Sequence, residues 1–179
     1  MTVDEFLAAY QSGKRDFQSI VLESAELFDC DIRSCDLSYA QLSGAYLPYA
    51  KLSRARLIKA ELKEANLSNA LVQVADLSCA NLRGALLSFI NLRGSILRQA
   101  GLYQANLHGA DLSGTDLRGA DLRQVNLTQA NLFKAQLAQA DLRGANLFRA
   151  QNVDLAEAIC DRTTIGPDGY PLESLTDEA

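Results

Sequence analysis

A leucine recurs at every fifth residue through most of this chain. In the register of positions ending in 2 and 7, from Phe17 to Leu147, 27 five-residue units follow one another without an insertion. The unit centre is Leu in 24 of them, and the exceptions, Phe17, Ile32 and Val72, are apolar. Two residues before the centre, from position 20 to 145, Ala fills 19 of 26 places. The other seven, Ile20, Cys30, Cys35, Ile90, Ser95, Thr115 and Val125, are mostly small or apolar. The residue just before the centre is Asp or Asn in 15 of 27 units. An α-helix turns about 100° per residue, so a step of five would smear these leucines around its axis. A flat strand fails as well, because an odd step sends successive leucines to opposite faces. A chain that turns a corner every five residues satisfies the pattern. The centre and the residue two before it then point inward, and the other three point outward.

The consensus Ala-(Asp/Asn)-Leu-x-x resembles that of the pentapeptide-repeat family, over about three quarters of the 179 residues. The resemblance implies an all-β fold, a right-handed quadrilateral β-helix with four units to a coil. Carried onto this chain it implies about seven coils, each rising about 4.8 Å, in a rod on the order of 30 Å long. An aliphatic interior suits a composition that is 48% hydrophobic but only 7% aromatic, without Trp. Cys30 and Cys35 fall in the inward column and read as small hydrophobes. Asp or Asn before the centre is placed to bond its own turn's backbone. Seven glycines, 44, 84, 94, 109, 114, 119 and 144, share the last position of the unit, where a corner calls for positive φ.

The ends depart from the repeat, as solenoid ends must. Thr2 to Glu5 reads T-x-x-E, a capping box, and Val3, Phe6 or Leu7, and Tyr10 form a helical stripe closed near Gly13. Residues 1–14 are expected to form a short N-terminal capping helix, similar to the cap of cyanobacterial relatives. The β-helix is expected over 15–165, regular over 15–149. The register breaks at Asn152 and is expected to recover three residues late, with Leu155, Cys160 and Ile165 as centres and Val153, Ala158 and Thr163 as inward partners. Residues 166–179 are expected to be a C-terminal cap or tail, turned away at the Gly-Pro-Asp-Gly-Tyr-Pro stretch.

Little in the chain points to catalysis. His108 is the single histidine and falls at an outward position, with no convergent nucleophile or acid. Asp16, Asp36, Asp76 and Asp116 share one outward column like a carboxylate ladder, but Arg56 and Ile96 interrupt it and turn chemistry accounts for it. The four cysteines lack metal-site or disulfide-framework spacing. No apolar run reaches the roughly 18 residues that span a bilayer. The expectation is a non-catalytic, cytoplasmic protein with no cofactor and no metal.

The family's best-understood members inhibit or protect type II DNA topoisomerase by resembling DNA, which needs a strongly negative face. The net charge of −5 invites that reading until it is located. Sorting outward residues by position modulo 20 gives net 0 on the face of Leu37, −1 on that of Leu22, −1 on that of Leu27 and +3 on that of Ile32. From Asp154 onward seven acids face one base, Arg162, so the acidity belongs to the tail. DNA mimicry thus ranks second, and DNA binding is not expected from a single modestly basic face. The face of Leu27 carries few charges and gathers Phe28, Tyr46, Pro48, Tyr49, Leu86 and Phe89 outward. Phe28, Tyr46, Tyr49, Leu86 and Phe89 are the candidate partner-binding strip of an interaction scaffold. The alternatives are outward stacking that stiffens the coil, or burial under a returning tail. A homodimer or larger homo-oligomer built through the strip or the C-terminal coil is the third functional reading.

Overall fold

The computed structural model describes residues 1–172. It opens with one helix, α1 (Val3–Gln11), capped as the sequence implies. The Thr2 hydroxyl accepts from the Glu5 N–H at 3.2 Å, and Glu5 Oε2 accepts from the Thr2 N–H at 2.8 Å. Phe6 is the buried side chain of α1, and its ring stands edge-on to Phe17 with centroids 4.7 Å apart. The helix thereby closes the open end of the first coil.

From Asp16 to Gln151 the chain climbs in coils, each returning to the same face after four units. Parallel bridges join each residue before a centre to its equivalent one coil on, from Asp16 with Asp36 to Asn131 with Gln151. The unit Asn81–Ala85 shows how every backbone N–H is satisfied. Asn81 donates down to Ala60 O at 2.9 Å, while Leu82 and Gly84 donate up to Gly101 O at 2.7 Å and Tyr103 O at 2.9 Å. Ala85 closes the turn on Leu82 O at 3.0 Å. That leaves the N–H of Arg83, just after the centre, and Asn81 Oδ1 accepts it at 3.2 Å. The same bond recurs at all 15 units that carry Asp or Asn before the centre. The preference is therefore hydrogen-bond accounting: an unpaired backbone donor is costly, and this side chain pairs it.

At the last position of the unit, from Ser19 to Arg149, every residue has φ between 49° and 72°. Each is the third residue of a four-residue turn, closed in all but the Ser34 and Val74 turns by a bond such as Ala40 N–H to Leu37 O, 3.0 Å, the type II pattern. The interior is a stack of leucine layers with alanine between them, continuous from Phe17 to Leu147. Burying each leucine stabilises the rod by roughly 1.5–3 kcal/mol. Cys35 is fully buried and Cys30 partly so, and burial pushes their thiols up to about 11 and about 12.

The coil shortens at its C-terminal end. Asp141 pairs with Ile159 and Asn146 with Ile165, where full coils would have brought Asp161 and Gly166 to those places. Leu155 and Cys160, with Val153 and Ala158, pack against the core as expected. The next unit corrects the expectation. Thr164, not Thr163, is buried, and Ile165 takes the bridging position opposite Asn146 instead of a centre. Asp161 is the cause: its Oδ1 accepts from the Thr163 N–H at 2.9 Å, and the turn closes between Thr164 N–H and Asp161 O, one residue late. The Thr164 hydroxyl reconciles the extra residue by donating to Leu142 O at 3.0 Å. Of the expected C-terminal cap or tail, residues 173–179 lie outside the described residues.

Candidate interaction surface

The face of Leu27 presents three outward columns, headed by Glu26, Phe28 and Asp29 and repeating once per coil. Between Tyr46 and Phe148 these columns hold no Asp, Glu, Lys or Arg. Charge is confined to the two ends: Glu26 and Asp29 at the first coil, and Arg149 with Asp168 of the rung that follows it at the other. Every predicted strip residue is exposed, Phe28 at 58% and Phe89 at 56%, with Tyr46, Tyr49 and Leu86 alongside.

The bridges place Asn66 between Tyr46 and Leu86, so the strip divides into two clusters. In the first, Phe28 stacks on Tyr46 with centroids 6.3 Å apart and meets Tyr49 edge-on at 5.7 Å. In the second, Phe89 lies edge-on to His108 at 5.2 Å. His108 Nδ1 is 2.7 Å from the Thr128 hydroxyl, which orients the ring along the wall. Gly109 makes room for this arrangement, since a Cβ there would sit 2.5 Å from Phe89 Cε1. The rings thus touch one another and remain open to solvent.

Tyr46 takes the place of the Asp or Asn that would accept the next turn's N–H. Residue 48 is Pro, which has no N–H to satisfy and suits the second position of a type II turn. The pairing of Tyr46 with Pro48 lets a ring replace an acceptor at no hydrogen-bond cost. Asn106 and Asn126 keep the usual acceptor and also join across coils, Asn126 Nδ2 donating to Asn106 Oδ1 at 3.0 Å.

On the other faces, the charges of the Asp-Leu-Arg units are paired locally. The Asp-Leu-Arg units fold each guanidinium onto the carboxylate of its own turn, as Arg118 on Asp116, Arg123 on Asp121 and Arg143 on Asp141. These hydrogen bonds hold all three carboxyls below their usual range. Among the described residues, no three His, Cys, Asp or Glu side chains are grouped to hold a metal ion. No helix among them is long and apolar enough to cross a membrane.

The family model for pentapeptide repeats matches residues 35–72, 75–114 and 110–147 in eight copies. The chain belongs to the pentapeptide-repeat family. Among solved structures, a trypsin-treated variant of QnrB1, a plasmid-mediated fluoroquinolone resistance protein, is similar to it. That protein is 19% identical, with 88% of each chain covered and a TM-score of 0.67, a likeness of fold. HetL, a pentapeptide-repeat protein involved in heterocyst differentiation regulation in the cyanobacterium Nostoc sp. strain PCC 7120, is 31% identical. The comparison covers 96% of this chain and 100% of HetL, with a TM-score of 0.35. No curated protein matches this pentapeptide-repeat chain by sequence.

Proposed function

We propose that this pentapeptide-repeat protein is a non-catalytic interaction scaffold of the cytoplasm, a rod whose Leu27 face docks another protein. The rod is a right-handed coil of about seven turns, on the order of 30 Å tall. Residues 1–14 cap one end, 15–165 form the body, and 166–179 close or trail from the other. The observation that carries the reading is the uncharged face from Tyr46 to Phe148 with Tyr49 and Phe89 half-exposed on it. Rigid rings on a surface depleted of charge are what desolvates at the centre of a protein interface. DNA mimicry gains no support from the other faces, because Asp116, Asp121 and Asp141 are each covered by an arginine.

The test compares the native chain with a Tyr46→Ser, Tyr49→Ser, Phe89→Ser variant as baits in a lysate. The expected result is a protein retained by the native chain and lost by a variant that still melts normally. Equal retention by both baits would move the docking surface elsewhere.

A further inference from the structure

We propose that the cleft between the end of α1 and the Ile32 face binds a small soluble phosphate monoester. The site stands apart from the Leu27 face and does not depend on the docking reading. The Ile32 face carries the rod's excess of positive charge, and Lys14 and Arg15 add to it at the N-terminal end. There the Tyr10 hydroxyl donates to Arg33 O at 3.3 Å, which ties the end of α1 to the wall and makes the surface concave. The resulting open cleft has a volume of about 580 Å³. Small-molecule sites run from about 300 to 1,000 Å³. Ser34 and Ser53, the short side chains of two neighbouring columns, form its floor. Arg33 and Arg54 stand around them, and Arg15 closes the end beneath Tyr10.

The ligand's chemistry follows from which hydrogen bonds are already spent. Arg15 lies over the Tyr10 ring at 4.0 Å and gives a single nitrogen, Nη1, to the carbonyls of Tyr10 and Lys14, both at 2.8 Å. The guanidinium is thus held in place with its Nε and Nη2 still to donate. Arg33 gives Nε and Nη2 to Asp31 at 2.8 and 2.6 Å and keeps Nη1. Arg54 is exposed, and neither it nor Arg15 forms an ion pair with a described residue. Arg118, Arg123 and Arg143 are consumed by the acids of their own turns, whereas the unit of Arg54 has none. The acceptors at the cleft are occupied instead. Both Asp31 oxygens take Arg33, and Gln73 Oε1 takes the Ser53 hydroxyl at 2.6 Å.

What lines the cleft is therefore rich in free donors and, among the described residues, holds no Asp or Glu. Three guanidiniums approach from different sides, and a phosphate meets them with three acceptor oxygens and nearly two negative charges. A carboxylate, with two oxygens and a single charge, would leave a guanidinium unmatched. The far end of the cleft is apolar, since Val74 is 63% exposed there, and it leaves room for the organic part of an ester. Because the arginines are open to solvent, affinity should be modest and should fall as salt screens them.

Amide chemical shifts of the full chain, followed by NMR at constant ionic strength, test the site with phenyl phosphate and with inorganic phosphate as probes. The expected result is saturable shifts centred on Ser34, Ser53, Arg54 and Val74, with a Kd for phenyl phosphate below about 1 mM. Arg54→Gln should weaken binding about tenfold or more. Glutamine is tolerated at that corner, as Gln99 and Gln124 hold the same conformation. Arg83→Gln removes an equal charge from the Leu22 face and should change the affinity less than about twofold. Ser53→Phe fills the floor without altering charge and should abolish binding while melting normally, because Phe133 already occupies the same column. Shifts spread over the cations of every face would reduce the cleft to surface charge and overturn the proposal. Equal losses in Arg54→Gln and Arg83→Gln, or native binding by Ser53→Phe, would do the same. A chain that ignores phenyl phosphate but sediments with phosphatidylcholine vesicles containing phosphatidic acid would overturn the assignment to a soluble ester. None of these outcomes touches the Leu27 face, which the strip variant tests separately.

Discussion

Asp116 shows how one residue serves both turn and surface. Its carboxylate bonds Arg118 within the unit and Arg98 from the coil below, and it accepts the Arg118 backbone N–H. The Arg118 hydrogen bonds above all, with those from Arg98, hold its carboxyl at about 2, against an ordinary 3.8. A depressed carboxylate stabilises the fold above its unfolded pKa and loses that contribution as pH falls through the folded one. The shift corresponds to at most about 2.5 kcal/mol, and solvent screening of the two half-exposed arginines reduces it to about 1 kcal/mol. Asp116→Asn should therefore lower stability by about 1 kcal/mol at neutral pH. The gap to the native protein should close between about pH 4 and pH 2. Urea melts across that range check it, and a gap that persists below about pH 2 would place the cost in packing instead of charge. Elsewhere at this scale the corners carry strain: Val74 is β-branched and exposed, yet holds φ 58° because the turn demands it.

The five-residue unit is the element, and its register has a direct test. Leu82 is buried among the stacked leucines while Arg83 beside it points to solvent. Leu82→Arg buries an unpaired charge and should cost at least several kcal/mol, whereas Arg83→Leu should fall within about 0.5 kcal/mol of native. Thermal melts that showed the two variants equally stable would break the inward assignment. This much was legible in the sequence because each unit solves the same local problem. The inward columns follow from the period, the Asp or Asn from one orphan N–H, and the corner from its glycines. The C-terminal units were less legible because Thr163 and Thr164 are adjacent and chemically alike. Which of them turns inward depends on where Asp161 starts its turn, and a tally of apolar positions does not contain that choice. On the candidate surface the strip residues could be read from their spacing. The role of Pro48 could not, since it appears only once the N–H beside Tyr46 is counted.

At the scale of the whole molecule the core is a stack of layers in which each coil rests on its neighbours. Stability is then close to a sum of coil and interface terms, and the ends decide where unfolding begins. The N-terminal end depends on Phe6, wholly buried and edge-on to Phe17. Removing its ring leaves a cavity over the first leucine layer and should cost about 3–5 kcal/mol locally. In a compact domain that loss would lower the protection of every core amide together. In a stack it should open the first coils while the middle stays closed. Phe6→Ala is therefore expected to speed hydrogen exchange at Phe17, Leu22 and Leu27, whose amides bond to Asp36, Gln41 and Tyr46. Leu97, Leu102 and Leu107, bonded to Asp116, Asp121 and Asn126, should keep their native rates. Native-state exchange read residue by residue separates the outcomes. Uniform acceleration from Phe17 to Leu107 would mean the coils unfold as one cooperative unit, and end-capping would then set global stability instead of local fraying.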